Sequence, residues 1–293
     1  MLATQRKMLC AVALATVFAS STAIPTNRTV VVTGATGRTG VLVYKALQAQ
    51  GMTVRAIVRN VTKARERLGC TACNASDGIF IGDLADSTSL IPAMVGAHAL
   101  VSTVGCTQVC IAPFVCHFLP GEHPKEILFD GLKTQVEAFV NASGPPLHER
   151  QIMLMSMLNT EKPPSWWFDI VAKLWGGFDV GFFSLNGEAF LMASGVKFTI
   201  LKACGLSDEP ASQKRLIASH DGQGIDLKNQ VSRADVARVL AEAVATPALS
   251  EGLRFDFCAA ADGPAQADAA DVLRDAMYPF DPRKLARDAR TSE

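Results

Sequence analysis

Three glycines at positions 34, 37 and 40 follow the β-branched run Val30-Val-Val-Thr33, in the order Gly34-Ala-Thr-Gly37-Arg-Thr-Gly40. Each has a separate task if the loop cradles a pyrophosphate. Gly34 permits a tight turn out of a strand, Gly37 lets the backbone approach an anion with no Cβ in the way, and Gly40 lets a helix pack closely on the sheet. That helix would aim its unpaired N–H groups at the phosphates, with Thr36, Arg38 and Thr39 completing the loop. Placed between a strand and a helix, the triplet predicts a dinucleotide site.

The end of the second strand predicts which dinucleotide. A site that holds an unmodified ribose carries an acidic residue there, whereas this chain reads Val54-Arg-Ala-Ile-Val-Arg59. Arg59 can fork onto a 2′-phosphate, and Arg38 points at the same region, so NADP(H) is the expected cofactor. The alternative is that both are ordinary solvated charges. Gly82-Asp83-Leu84 ends the third strand where an adenine ring would lie. Asp83 can accept from the adenine amino group, or it can cap the next helix.

The elements that would position these residues alternate. Strands are expected at Val30–Thr33, Thr53–Val58, Ile79–Ile81, Ala99–Thr103, Gln151–Ser156 and Lys197–Leu201. Helices are expected at Gly37–Gln50, Lys63–Leu68, Ser87–Val95, Glu126–Asn141 and a segment ending near Ser194. Short β-branched runs separated by helices predict an α/β fold, a doubly wound, mostly parallel sheet of the Rossmann type with its ligand crevice at the carboxyl ends of the strands. The last third is less regular: Arg233–Ala245 reads as a helix with Ser232 as N-cap, and Leu253–Cys258 as a strand. Residues 24–293 read as one domain, with irregular substrate-side insertions at Thr107–Pro124 and Glu161–Phe183.

Composition narrows the partners. The 293 residues carry 28 Lys plus Arg against 28 Asp plus Glu, and no basic stripe, which speaks against nucleic acid and anionic lipid. A small-molecule substrate is expected. Residues 1–23 resemble a signal peptide: Arg6-Lys7, then apolar Met8–Ala19, then Ser21-Thr-Ala23. The apolar stretch is too short to span a bilayer, so no transmembrane span is expected in the mature chain. A secretory signal is the first reading and an organelle leader, such as a plastid one, the alternative. Glycosylation patterns begin at Asn27, Asn60, Asn74 and Asn141. Cys70, Cys73, Cys106, Cys110, Cys116, Cys204 and Cys258 follow the leader, and their pairing is not legible from spacing. His98, His117, His123, His148 and His220 complete no metal spacing.

The chain resembles the atypical short-chain dehydrogenase/reductase family, in its NmrA-like and NAD(P)H-binding branch, which includes biliverdin/flavin reductases. Thr33–Gly40, Arg55–Arg59, Gly82-Asp-Leu-Ala-Asp86, Ala99–Gly105, Ala193–Ile200 and Val231–Ala237 carry the resemblance, in the right order over most of the chain. It implies that Gly34–Gly40 and Arg59 hold the cofactor phosphates, Asp83 and Leu84 the adenine, and Thr103, Val104 and Gly105 the ribose and nicotinamide side.

The catalytic part of the pattern is missing. Typical members use Tyr-x-x-x-Lys, in which the tyrosine donates a proton and the lysine lowers its pKa. Here Val180-Gly-Phe-Phe-Ser184 stands in that place, and the two tyrosines are Tyr44 and Tyr278. Lys173 is near in sequence but has no tyrosine partner. Ser156 matches the serine of the family pattern; its hydroxyl can orient a substrate or relay a proton from water, or it can simply bond backbone. Lys202-Ala-Cys-Gly205 replaces the Arg-Pro-Gly or histidine frequent in this branch. Ser165–Trp175, with Phe178, Phe182 and Phe183, reads either as a core-facing helix or as an aromatic wall over a flat acceptor. Two functions follow: an NADP(H)-dependent reductase of a small apolar or conjugated acceptor (flavin, quinone, tetrapyrrole or carbonyl) working without the dyad, or a non-catalytic NADP(H)-sensing regulatory or scaffold protein.

Overall fold

The computed structural model describes residues 28–284 apart from 113–114, 159, 161–177, 227, 262, 264, 266–267 and 280. The leader expected at 1–23, Lys173 and the aromatic stretch Ser165–Trp175 lie outside the described residues.

The run Val30-Val-Val explains why the first strand lies mid-sheet. Val30 and Val32 join one apolar cluster and Val31 the other, all three fully buried. A strand buried on both faces belongs to a parallel sheet covered by helices, not to a one-sided sheet. The strands are β1 (Thr29–Thr33), β2 (Thr53–Val58), β3 (Ile79–Ile81), β4 (Ala99–Ser102), β5 (Gln108–Ala112), β6 (Val115–Phe118), β7 (Gln151–Met157), β8 (Lys197–Ala203), β9 (Gly205–Ser207), β10 (Leu216–Ser219), β11 (Gln230–Ser232) and β12 (Leu253–Ala259). Eight form one sheet in the order β10-β12-β8-β7-β4-β1-β2-β3, parallel except for the β10–β12 pair. The order reverses between β1 and β4, which places the crevice of a doubly wound fold there.

Helices cover both faces. They are α1 (Gly40–Ala49), α2 (Val61–Leu68), α3 (Ser87–Met94), α4 (Gly131–Asn141), α5 (Phe178–Ala193), α6 (Arg233–Ala245), α7 (Pro247–Ser250) and α8 (Ala269–Asp275). Val43 and Leu47 of α1, the apolar stripe of α6 and Leu273 of α8 pack with Val30 and Val32. Leu90 of α3, Phe139 of α4 and Leu191 of α5 pack with Val31. Ser232 caps α6 by accepting from the Asp235 amide, as its position predicts. Among the described residues no helix is long and apolar enough to cross a membrane.

Two segments differ from expectation. The insertion 107–124 is not irregular: β5 and β6 pair antiparallel as a hairpin, with Cys110 opposite Cys116. The helix expected from Glu126 starts as a π-helical segment, Lys125–Asp130, before α4 begins. Such wider turns recur at functional sites, and Ile127 of this one reaches the cleft described next.

Candidate functional site

The glycine loop closes on β4 through contacts that admit no side chain. Gly34 turns out of β1 at φ +72°, and a Cβ there would lie 2.9 Å from the Thr103 carbonyl. Gly40 starts α1 against the loop itself: a Cβ would run into the Gly34 carbonyl and stand 2.7 Å from Thr103 Oγ1. Thr103 Oγ1 donates to the Thr33 carbonyl at 2.9 Å, tying β4 to β1. The Gly37 amide donates to the Gly34 carbonyl at 2.8 Å, so the loop is a closed turn before any ligand enters. Thr39, buried, is the residue from which α1 starts, with no side-chain cap hydrogen bond.

A cleft opens over this loop. Gly34, Thr36, Gly37, Arg59, Asp83, Leu84, Thr103, Val104 and Gly105 all line it. Most of the residues expected at a dinucleotide site are therefore gathered on one surface. Gly40 and Thr39 are not part of its lining, and Arg38 borders a neighbouring recess with Thr36, Gly37, Asn60, Lys63, Glu66 and Arg67. Lys63, in the first turn of α2, lines both recesses and adds a cation that the sequence reading missed. Its position four residues after Arg59 was the available signal.

Both arginines hold carboxylates from later segments. Arg59 Nη2 lies 2.7 Å from Glu122 Oε1, and Arg38 bonds Asp208. Asp83 Oδ1 accepts from the Ala85 amide at 3.0 Å, while the N-cap of α3 is Asp86, accepting from Thr88. The helix-capping alternative for Asp83 thus falls to Asp86. The hydroxyl and amide of Thr88 hold the Asp86 carboxyl below the usual carboxylate range.

A second, mostly apolar cavity of about 360 Å³ adjoins the cleft and shares Val104, Gly105 and Ile127 with it. Ser156, at the end of β7, lines this cavity together with Leu154, Leu206 and Cys204. Val180 and Ser184, four residues apart on α5 where the dyad would stand, also face it. Neither tyrosine does: Tyr44 is a buried residue of α1, and Tyr278 stacks on His220 with its hydroxyl donating to the Arg254 carbonyl. Lys202 turns away from the cavity into a buried ion pair with Asp256, 3.0 Å apart. Cys204 is bonded to Cys258 and Cys70 to Cys73, while Cys106 is a free thiol in the cavity wall, pushed up by burial.

Behind Ser156 stands a residue that sequence reading did not single out. The Ser156 hydroxyl donates to Glu188 Oε1, and Glu188 on α5 is fully buried. Arg254 of β12 pairs with the same carboxylate at 2.7 Å.

A parallel sheet with a glycine turn at its switch point, and an apolar cavity opening onto that turn, defines a dinucleotide-binding protein of the Rossmann type. The match of residues 34–247 to the NAD(P)H-binding family model makes the relation specific, and the chain belongs to that family. It is similar to an uncharacterised chloroplastic protein of Arabidopsis thaliana, 30% identical over 243 residues, covering 78% of this chain and 68% of that one. It is also similar to sanguinarine reductase of Eschscholzia californica, 25% identical over 244 residues, covering 74% and 84%. Among solved structures, an anaerobillin reductase of Escherichia coli O157:H7 shares the fold, with TM-score 0.57 and 21% identity over 81% of this chain and all of that chain.

Proposed function

We propose that the protein is an NADP(H)-dependent reductase of a small, largely apolar, conjugated acceptor, working without a tyrosine–lysine dyad. The observation that carries this reading is the junction of the two cavities: the apolar one containing Ser156 meets the glycine-loop cleft along Val104, Gly105 and Ile127. A flat acceptor in the first would lie against a nicotinamide in the second.

The residues fit the cofactor. The side-chain-free surface at Gly34 and Gly37, the N-terminus of α1, and the cations Arg38, Arg59 and Lys63 would hold the phosphates. Asp83 and Leu84 would border the adenine, and Thr103, Val104 and Gly105 the ribose and nicotinamide. The bound dinucleotide supplies hydride. The balance is NADPH plus acceptor plus one proton giving NADP⁺ and reduced acceptor. The chain's own contribution is to stack the acceptor between apolar walls, exclude bulk water and fix its orientation through Ser156. A related protein whose name is that of a reductase supports this class.

For the compartment we favour the organelle leader over a secretory signal. The Arabidopsis relative is described as chloroplastic. Asn60 also borders the recess of Arg38 and caps α2 through its side chain, so a glycan there would crowd the phosphates.

Purified protein mixed with NADPH and a panel of flavins, quinones and aldehydes tests the reading, followed at the nicotinamide absorbance. Oxidation above the blank with one acceptor class is expected. Tight NADPH binding with no oxidation by any acceptor would replace it with the cofactor-sensing function.

A further inference from the structure

Ser156 has one proton, and its direction decides what the cavity can recognise. A hydroxyl offers one donor and two acceptor lone pairs. Here the donor is spent on Glu188 Oε1. That carboxylate is closed on every side by the protein: Thr160 Oγ1 donates to it at 3.2 Å, and Arg254 reaches Oε2 through Nε at 2.8 Å and Nη2 at 2.7 Å. Arg254 Nη2 also donates to Thr160 Oγ1 at 3.0 Å, which locks the cluster into one pattern. A guanidinium keeps its protons in proteins, and the carboxylate facing it has none to give. If Ser156 gave up its proton to a substrate, an alkoxide would stand beside a buried carboxylate. Two adjacent negative charges in a dry site are strongly disfavoured.

We propose that Ser156 is a hydrogen-bond acceptor toward the cavity, held so by Glu188, and that the site therefore selects conjugated acceptors carrying an N–H or O–H donor at the edge that meets Ser156. This rests on the reductase reading and deepens it. The substrate class is an imide, lactam, pyrrole or phenol-bearing ring rather than a bare carbonyl compound awaiting a proton. The proton consumed with the hydride comes from water, and Ser156 contributes orientation. Glu188 and Arg254 are positioning residues, acting only through the serine.

The test uses matched pairs in which the donor is present or capped: lumiflavin against 3-methyl-lumiflavin, and 6-hydroxy-1,4-naphthoquinone against its methyl ether. Dissociation constants are measured on the full-length protein loaded with NADP⁺, so that no turnover is needed. The uncapped member of at least one pair should bind about tenfold more tightly, because a capped ligand leaves the serine lone pair without a donor. Glu188→Gln changes charge but hardly volume. Its amide, held by Arg254 through the oxygen, turns N–H toward Ser156 and frees the serine proton to point into the cavity, so the preference should fall to about one. Steric exclusion of the added methyl would leave the preference in Glu188→Gln unchanged and so overturn the proposal. Binding of neither pair, or equal binding within both, overturns it as well. Where Glu188→Gln fails to fold by thermal melting, Ser156→Ala must lose the preference and Ser156→Thr must keep it. The two readings fail separately: oxidation of NADPH by acceptors with no donor preference sinks this inference alone, and no oxidation by any acceptor sinks the reductase.

Discussion

Arg59 Nη2 and Glu122 Oε1 are 2.7 Å apart, so the guanidinium proposed to take the cofactor's 2′-phosphate is bridged to a carboxylate of the insertion that follows β4. Glu122 is the more enclosed partner, with 14% of its side chain exposed against 61% for Arg59. A 2′-phosphate at Arg59 must displace it. Arg59→Glu should weaken NADPH binding by about tenfold or more, since a charge-assisted fork is lost and a repulsion added, while NADH changes little. Glu122→Gln should strengthen NADPH. Titration of both cofactors by fluorescence checks this, and equal losses for NADPH and NADH in Arg59→Glu remove the basis for NADP preference.

Gly40 meets the Gly34 carbonyl and Thr103 Oγ1 so closely that a methyl group has no place to go. Gly40→Ala must push α1 away from the loop. Overpacking of this kind costs on the order of 1–3 kcal/mol, and the shift also moves the helix N-terminus from the phosphate position. A lower melting temperature and loss of NADPH binding are expected together. Gly51→Ala is the control for glycine loss without a close neighbour: φ is +78° there, but nothing lies within 4 Å of the added Cβ. It should cost stability through backbone strain and leave cofactor affinity intact.

The sheet was legible because its signal is local. β1, β2 and β3 fall where β-branched runs predict them, and the glycine turn lies at the switch point that the alternation of strands and helices implies. The hairpin of β5 and β6 was not legible, since its stretch of cysteines and a proline shows no two-residue apolar alternation. Glu188 was hidden for a different reason. It stands in α5 between apolar neighbours, 32 residues from Ser156 and 66 from Arg254, and only packing of α5 against β7 and β12 brings the three together. A charge set among apolar residues of a helix announces a partner but does not name it.

His98, just before β4, ties the two central strands by accepting from the Thr29 amide through Nδ1 at 3.2 Å. Burial lowers its pKa below the ordinary 6.5, and the nearby Arg28 charge lowers it further. The folded protein thus favours neutral His98, and the unfolded chain binds the extra proton first as pH falls. The contribution to stability is whole above pH 6.5 and declines as pH drops toward the depressed folded value. Melting temperature should fall on acidification through this window. In His98→Gln, whose side-chain oxygen can accept from Thr29 without titrating, the decline between pH 6.5 and 5 should be shallower; an identical slope would exclude His98 as its source.

Cys106 carries a free thiol and lines the same cavity as Ser156. Burial raises its pKa above the ordinary 9.0, with Glu122 adding to the rise, so the thiolate that reacts with alkylating agents is scarce at neutral pH. Iodoacetamide should label Cys106 more slowly than it labels glutathione at pH 7.5, with the rate climbing as pH passes 9. An acceptor seated in the cavity would cover the thiol. Labelling followed by peptide mass spectrometry, with and without the tightest-binding acceptor, should therefore show protection at Cys106. Undiminished labelling at saturating acceptor would place the acceptor outside this cavity.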